Sequence, residues 1–283
     1  MPEPRARVMD RLSAILIWGV AGLVAASFVW LVGNVLQHGL AQLSFEFVTA
    51  SPEDAGRGGG IAPIIVSTLI IVAICMAVTV PVGLGTAILL AEFLSGSSRL
   101  GRLVRRSLDV LASVPSVVFG LFGNAVFCQM LGMGFSLLSG GLTLACMVLP
   151  FFIRTAEEGL RAVPKDYRMA AASLGLSHTG TLAHILIPAA MPGLLAGFIL
   201  SVSRSLAETA ALIFTSGYVD RMPSSLLESG RTLSVHIYDL SMNVSGGDGM
   251  AYSSALVLMV MLIVLNRIAM WLSRKWSTQR VVA

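Results

Sequence analysis

Residues 154–192 read RTAEEGLRAVPKDYRMAAASLGLSHTGTLAHILIPAAMP and separate two strongly apolar runs of the chain. Positions 167–174 can form two turns of helix whose small apolar face contains Ala170 and Ala171. Gly175 follows at the position where helices often end in a left-handed residue, a conformation that costs glycine least. The stretch therefore predicts a short helix held between two membrane spans, which is a shape suited to docking another protein.

The composition indicates the class of protein in which this stretch lies. Hydrophobic residues make up 55% of the 283 residues, and charged residues only 12%. Several apolar runs reach the roughly 20 residues that a helix needs to cross ~30 Å of hydrocarbon. Since backbone groups in lipid must pair within the chain, we expect an all-α integral membrane protein. Cys75, Cys128 and Cys146 lie within apolar runs, and an odd number of such thiols indicates packing.

The distribution of apolar residues predicts six transmembrane helices. The predicted spans cover about residues 12–36, 61–94, 108–131, 135–153, 189–216 and 251–273. The first run is longer than the ~7–15 apolar residues of a signal-peptide core, so we expect an anchor helix. The second run is longer than one crossing needs, and we expect Pro81, Gly83 and Gly85 to kink it.

Basic residues predict the orientation of these spans, because Lys and Arg accumulate on the cytoplasmic side of a membrane. Four basic groups fall on the same side of six spans: Arg5, Arg7 and Arg11; Arg99, Arg102, Arg105 and Arg106; Arg154, Arg161, Lys165 and Arg168; and Arg274, Lys275 and Arg280. The opposite segments, 39–60 and 217–250, are net acidic. Both termini are therefore predicted to be cytoplasmic, and both acidic segments external. We expect the glycines at 58–60 to form a flexible lead into the second span.

A polar stripe interrupts the fifth predicted span. Arg204 and Glu208 are four residues apart, so a continuous helix would place them on one face at ion-pair distance. Ser201 and Ser205 share that face by the same spacing. An Arg at the membrane centre costs ~3 kcal/mol or more, so the stripe should face the bundle interior or a solvated path. Two roles stay open: Arg204 meets a translocating anion while Glu208 orients or balances it, or the pair serves helix packing alone.

Pro115 and Glu92 both lie near predicted helix ends. Pro115 lacks a backbone donor, so it either unwinds the third span, with Ser116 offering a hydroxyl to a pathway, or marks a first helical turn. Glu92, near the inner end of the second span, is expected to reach the interface or to pair with a cytoplasmic Arg. None of the four histidines has the neighbours of a metal site, so no metal ligand is predicted.

The stretch at 154–192 also resembles the cytoplasmic loop of importer-type ABC permeases. That loop has the pattern Glu-Ala-Ala, three residues, Gly, nine residues, Ile, one residue, Leu-Pro. The spacing is matched by Ala170, Ala171, Gly175, Ile185 and Pro188, with Met169 replacing the Glu and Ile187 replacing the Leu. The resemblance implies that the loop at 154–188 carries a coupling helix for a separate ATPase. Tyr167 and Arg168 join the matched residues as expected contacts.

Other segments resemble PstA, the phosphate-permease family within this superfamily. The sequence RSLAET at 204–209 is similar to the family's Arg, two residues, Gly-Glu-Thr, with Ala207 in place of the Gly. PSVVFG at 115–120 and GGIAP at 59–63 resemble two further segments of the same family. The sister subunit typically has Tyr where Phe119 stands, which favours PstA.

The resemblance implies a type I importer permease of the MetI-like fold in the bacterial inner membrane. It implies an anchor and external loop over 1–60, a permease domain over 61–275 and a cytoplasmic tail over 276–283. The implied partners are a PstC-like second permease subunit, a PstB-like ATPase dimer and a PstS-like periplasmic phosphate-binding protein. The chain has no GxxxxGK[S/T] pattern, so it is expected to be no enzyme and to bind no cofactor, with ATP and Mg²⁺ used by the ATPase.

Alternative functions stay open at this point. A charged stripe does not discriminate among tetrahedral anions, so another oxyanion or a phosphonate is an alternative substrate. An ion-coupled secondary transporter is an alternative of a different class, but such folds often contain inverted repeats, and no convincing repeat is visible here. An intramembrane enzyme would need a catalytic set of residues, which the sequence does not offer. Co-purification of a soluble ATPase would discriminate among these classes.

Overall fold

The computed structural model describes residues 4–94 and 98–278 and is a bundle of helices with one short hairpin. The helices are α1 (Pro4–Gly39), α2 (Phe45–Thr49), α3 (Ala62–Ile88), α4 (Arg99–Ser113), α5 (Ser116–Gly123), α6 (Leu137–Arg161), α7 (Lys165–Ser173), α8 (His178–Thr181), α9 (Ile187–Ala207), α10 (Ala210–Ile213), α11 (Leu233–Met242) and α12 (Asp248–Thr278). Wider π-type turns continue three of them, at Leu89–Phe93 after α3, Asn124–Met130 after α5 and Leu182–Leu186 before α9. The hairpin pairs β1 (Pro52–Glu53) with β2 (Gly58–Gly59) in antiparallel fashion.

Among the described residues, five continuous helical segments are long and apolar enough to cross a membrane. They are Arg11–Gly39, Ala62–Phe93, Leu137–Arg161, His178–Ala207 and Asp248–Trp271. A bent pair, Arg99–Ser113 and Ser116–Met130, forms a sixth candidate. This arrangement confirms an all-α membrane protein.

The bent pair has to count as one crossing. At the start of α6, the Leu137 N–H donates to the Glu228 carbonyl over 2.9 Å. At its other end, Arg161 donates to the Leu90 carbonyl, near the end of the second span, over 3.0 Å. The second span therefore ends on the side opposite to the start of α6, and the chain crosses between them. Six crossings by the described residues place the start of α1 and the end of α12 on one side of the membrane, which agrees with the predicted orientation.

The third span differs from the predicted single helix that begins near residue 108. α4 and α5 meet at 98° because Val114 and Pro115 have extended backbones, with ψ of 130° and 144°. Pro115 precedes the first turn of α5, where its missing N–H removes no helical hydrogen bond. Residues 108–113 therefore belong to a helix that turns away from the crossing, and Ser116 begins the crossing itself.

The predicted coupling loop at 154–188 is shorter than expected, because both flanking helices extend into it. α6 continues to Arg161 rather than ending near residue 153, since its charged last turns are paired within the chain. The fifth span begins at His178 instead of near residue 189. The residues of the loop that are not helical lie on either side of α7.

The core of the bundle lies where α3 packs along α6. Glycines allow the close approach: a Cβ built on Gly83 would lie 2.5 Å from Cδ1 of Phe152, and one built on Gly141 would lie 2.6 Å from Ile74. Further out, a Cβ on Gly193 of α9 would lie 2.8 Å from the Gly159 Cα of α6. The helical run of α3 continues through Pro81, where a kink was predicted.

The two predicted external segments pack on each other rather than forming free loops. The Gly60 N–H donates to the Ser51 carbonyl over 2.9 Å, and Gly59 has φ of +73° within the hairpin. A Cβ on Gly60 would lie 2.6 Å from the Ala50 carbonyl oxygen. Gly58 and Gly59 therefore form the second strand of the hairpin and Gly60 packs against backbone, so the prediction of a flexible lead was wrong. Gly56, with φ of +87°, lies against the His236 ring of α11.

The two ends of the chain are helical as far as they are described. α1 ends against α12, where Ser253 Oγ donates to the Gly39 carbonyl over 2.9 Å. α12 contains the predicted sixth span and continues to Thr278. In the predicted tail at 276–283, residues 279–283, with Arg280, lie outside the described residues.

Candidate functional site

The predicted coupling loop at 154–188, called the coupling segment below, contains the predicted short helix. α7 covers Lys165–Ser173, and Gly175 has φ of +71°, as expected for a glycine that ends a helix. The Leu176 N–H donates to the Ala171 carbonyl over 3.1 Å, and the Gly175 N–H donates to the Ala172 carbonyl over 3.0 Å. This pair of hydrogen bonds is the Schellman arrangement, which satisfies the last carbonyls of a helix.

The predicted coupling residues divide between an outer and an inner face of this segment. Tyr167 and Ala170 are exposed, together with Met169 and Leu174, and so form the outer face. Ala171 is only 1% exposed, so it packs inside the chain and cannot provide the partner surface predicted for it. Ile185 and Pro188 line a cavity of about 630 Å³ beside Tyr167, between the coupling segment and the start of α9.

Arg168 connects α7 to the predicted cytoplasmic ends of the second span and of α6. Its guanidinium donates to both carboxylate oxygens of Glu92, with Nη2–Oε1 at 2.5 Å and Nε–Oε2 at 3.1 Å. It also donates to the Leu160 carbonyl of α6 and to the Val163 carbonyl that follows. The hydrogen bonds that Arg168 donates to the Glu92 carboxylate raise the pKa of Arg168. The prediction that Glu92 pairs with a cytoplasmic Arg is confirmed.

A second group of charges, which was not predicted from the sequence, stabilises the same end of the bundle. Glu157, 3% exposed, accepts from Arg105 over 2.8 Å and from Arg161 over 3.0 Å. Both arginines also donate to the Leu90 carbonyl, at 2.8 and 3.0 Å. One of these ion pairs could have been predicted from the sequence, because Glu157 and Arg161 are four residues apart and such side chains are neighbours on a helix.

In the fifth span, the structure does not form the predicted ion pair between Arg204 and Glu208. α9 ends at Ala207, and Glu208 has an extended backbone with ψ of 128°. Its carboxylate instead accepts from the Ala211 N–H over 3.3 Å. Within the described part of the chain, no ion pair joins the two side chains. Four-residue spacing places two side chains on one face only while the helix continues, and here it stops between them.

The predicted stripe of four polar residues is also divided between two faces. Ser201 and Ser205 are 0% and 2% exposed and point into the bundle, where Ser205 Oγ lies 3.4 Å from Cys75 Sγ of α3. Arg204 is exposed on the surface of this chain. Arg204 is therefore available to a ligand or a second subunit, whereas Ser201 is buried and Ser205 packs against α3.

The break after α9 lies against the start of the third crossing. A Cβ on Gly120 of α5 would lie 2.9 Å from the Ala211 Cα, so the two backbones are in contact. Asn124 Nδ2 donates to the Phe214 carbonyl over 2.8 Å, and Ser234 Oγ donates to the Glu208 carbonyl over 2.6 Å. Side chains thus satisfy carbonyls that the broken helix leaves free, as irregular backbone at membrane depth requires. Ser116 is half-buried in the first turn of α5.

Known proteins resemble this chain over nearly its whole length. It is 31% identical over 281 residues to the Probable ABC transporter permease protein YqgI of Bacillus subtilis, covering 94% of this chain and 95% of that protein. It is 29% identical to the phosphate transport system permease protein PstA 2 of Mycobacterium bovis, covering 97% of this chain and 94% of that protein.

A solved structure shows the same fold. It is a bacterial ABC transporter involved in the import of the acidic polysaccharide alginate, with a TM-score of 0.66 and 14% identity over 95% of this chain and 99% of that chain. The sequence model of the binding-protein-dependent transport system inner membrane component matches residues 83–278, which include α7 and the break after α9. The chain therefore belongs to that family and is a multi-span permease subunit of an ABC importer.

Proposed function

We propose that this chain forms half of a transmembrane path for inorganic phosphate in an ATP-driven importer. The observation that carries the proposal is the attachment of α7 to the ends of α3 and α6 through Arg168. The substrate is inferred from the similarity to a phosphate transport permease along 97% of the chain. Arg204, exposed next to the break in the fifth span, supports an anionic substrate because a guanidinium pairs with phosphate oxygens in a bidentate manner.

The partners follow from this role. A PstC-like permease subunit would supply the other half of the path, and its surface would approach Arg204. A PstB-like ATPase dimer would bind the outer face of α7 at Tyr167, Met169 and Ala170, and would use ATP and Mg²⁺. A PstS-like periplasmic protein would deliver phosphate at the external end, where 39–60 and 217–250 pack together. The chain itself would bind no cofactor, and the assembly would lie in the bacterial inner membrane.

Force from the ATPase has a direct route into the spans. A displacement of α7 acts on α3 through Glu92 and on α6 through the Leu160 carbonyl. α6 passes the displacement to α9 where Gly159 contacts Gly193, because a contact between backbones leaves no flexible side chain to absorb it. α9 ends beside α5, so the movement reaches both broken helices. ATP is needed because an inside-negative potential opposes each negative charge by ~2.3 kcal/mol per 100 mV.

The test is uptake of labelled phosphate into proteoliposomes that contain this chain, a PstC-like subunit and a PstB-like ATPase. We expect uptake that needs ATP inside and the phosphate-binding protein outside. Uptake without ATP would favour an ion-coupled transporter and contradict the proposal. Competition distinguishes the substrates: if excess sulfate or a phosphonate abolishes uptake while phosphate competes weakly, the chain serves another anion.

A further inference from the structure

α4 presents three different faces along its length. Gly101 and Leu108 are buried, with Leu108 in a cluster with Leu90 and Ile153. At 100° per residue, the remaining circumference divides into a basic face and an apolar face. The basic face consists of Arg99, Arg102 and Arg106, which are all exposed. The apolar face consists of Leu100, Leu103, Val110 and Leu111, with Leu103 and Val110 63% and 65% exposed.

The position of α4 in the fold places these faces at the predicted cytoplasmic end. Arg105 pairs with Glu157 near the end of α6, and Arg154 pairs with Asp109, so α4 is held against that end of the bundle. The 98° bend between α4 and α5 turns α4 across the direction of the crossing. A helix that continues into a span at nearly a right angle lies close to the plane of the membrane.

The basic face has no anionic partner in the described part of the chain. Arg99, Arg102 and Arg106 take part in none of the ion pairs or side-chain hydrogen bonds found there. The nearest acid on the same helix, Asp109, is paired with Arg154. Within the described residues, three guanidinium groups therefore point outward without an anionic partner, beside a mainly apolar flank that the exposed Ser107 interrupts.

We propose that α4 lies in the interface of the cytoplasmic leaflet, where its basic face binds the headgroups of anionic phospholipids and its apolar face enters the acyl region. A helix at this depth meets headgroups on one flank and hydrocarbon on the other, and α4 has a basic and an apolar flank in that relation. The cytoplasmic leaflet is anionic and attracts arginines next to a span. The bound lipid would fix α4 while α5, beyond the break at Pro115, moves in transport.

The experiment uses the full chain in its importer complex, in bilayers of phosphatidylcholine and phosphatidylglycerol. Leu103→Trp places a reporter on the apolar face, and the difference in fluorescence from a Leu103→Phe complex isolates its emission. Lipids brominated on the acyl chain, either phosphatidylglycerol or phosphatidylcholine, then quench the reporter. We expect both to quench, with brominated phosphatidylglycerol several times more effective at equal mole fraction.

The charge dependence is tested with matched variants. Arg102→Gln with Arg106→Gln should remove most of the preference for phosphatidylglycerol, so that the two brominated lipids quench nearly equally, whereas Arg102→Lys with Arg106→Lys should keep it. Arg57→Gln with Arg221→Gln, an equal charge change at the predicted external end, should leave it unchanged. A reporter that no brominated lipid quenches would show that water or another protein covers this face. Equal quenching by both lipids while all the arginines are present, or an unchanged preference in the double Gln variant, would equally overturn the proposal.

Discussion

Arg168 of α7 holds both carboxylate oxygens of Glu92, at 2.5 and 3.1 Å, and this pair joins the coupling helix to the end of the second span. The Glu92 side chain is only 6% exposed, whereas that of Arg168 is 29% exposed. The carboxylate is therefore the more deeply buried member of the pair. The Glu92 carboxylate is stable in this buried position because Arg168 donates hydrogen bonds to it.

Replacing Arg168 with Gln should destabilise the protein by about 3–5 kcal/mol, because it leaves the Glu92 carboxylate buried without a partner. The double change Glu92→Gln and Arg168→Gln should be milder in thermal unfolding, yet it should still uncouple ATP hydrolysis from uptake. Arg57→Gln is the control, since Arg57 and Asp54 form an exposed pair worth about 0–1 kcal/mol. Normal uptake by the double variant would show that the pair carries no force.

Replacing Gly175 with Ala, which adds the smallest side chain, should weaken the end of α7. Gly175→Ala places a Cβ on a residue with φ of +71°, which costs about 1 kcal/mol or more and weakens the end of α7. We expect weaker retention of the ATPase in co-purification and unchanged membrane insertion. Gly85→Ala is the matched control, because a Cβ at Gly85 meets no atom within 4 Å and its backbone is helical. Equal ATPase retention by both variants would show that this segment is not the docking site for the ATPase.

The contact between the two broken helices predicts a defect at Gly120. Gly120→Ala would put a Cβ 2.9 Å from the Ala211 Cα, and backbone atoms cannot move aside as a flexible side chain can. Overpacking of this kind costs about 1–3 kcal/mol, so thermal stability and uptake should both fall. Gly22→Ala, where a Cβ has no neighbour within 4 Å, should change neither. An unaffected Gly120→Ala protein would mean that α5 and the segment after α9 separate at little cost.

His236 should make the external packing sensitive to acid. Burial, followed by the charge of Arg231, lowers the pKa of His236 from 6.5 to about 4. Since the unfolded chain binds the proton more tightly, stability is full above about pH 6.5 and falls between pH 6.5 and 4, by up to about 3 kcal/mol. Melting temperatures across this range should show the loss in the wild type, and His236→Gln should flatten the profile. A flat wild-type profile would contradict the prediction.

The class of fold was predictable from the sequence because hydropathy, basic clusters and a helix-ending glycine are local signals. The same signals placed α7 and Gly175 correctly. They failed at helix ends near charges: α6 continues to Arg161 because Glu157 and the arginines around it neutralise one another across the fold. Such pairing depends on tertiary contacts that no window of the sequence contains.

The break after Ala207 could not be predicted from spacing alone. Nothing between Arg204 and Glu208 is a helix breaker, and the continuous-helix assumption produced an ion pair that the structure lacks. The break is stabilised from elsewhere in the chain, by Ser234 donating to the Glu208 carbonyl and by α5 packing at Gly120. The glycines at 58–60 were misjudged because a local hairpin fixes them: Gly58 and Gly59 pair with Glu53 and Pro52, and the Gly60 N–H donates to the Ser51 carbonyl.

The absence of an Arg204–Glu208 contact gives a sharp prediction for the substrate path. If the two side chains are independent in the folded chain, the destabilisation from Arg204→Gln and from Glu208→Gln should add to within about 0.5 kcal/mol in the double variant. Arg204 is exposed on this subunit, so its removal should leave folding and assembly nearly unchanged while phosphate uptake is lost. Arg204→Lys should assemble and transport poorly, since Lys keeps the charge but not the planar pair of donors.

Glu208 should behave differently from Arg204, because its carboxylate accepts from the Ala211 N–H at the start of α10. Glu208→Gln keeps an acceptor there and should reduce uptake less than Arg204→Gln does. The measurements are thermal unfolding of the assembled complex and initial rates of phosphate uptake for the two single variants and the double. A coupling of 1 kcal/mol or more between the positions would show that they pair in the assembled importer. Uptake near the wild-type rate in Arg204→Gln would place the anion path elsewhere in the bundle.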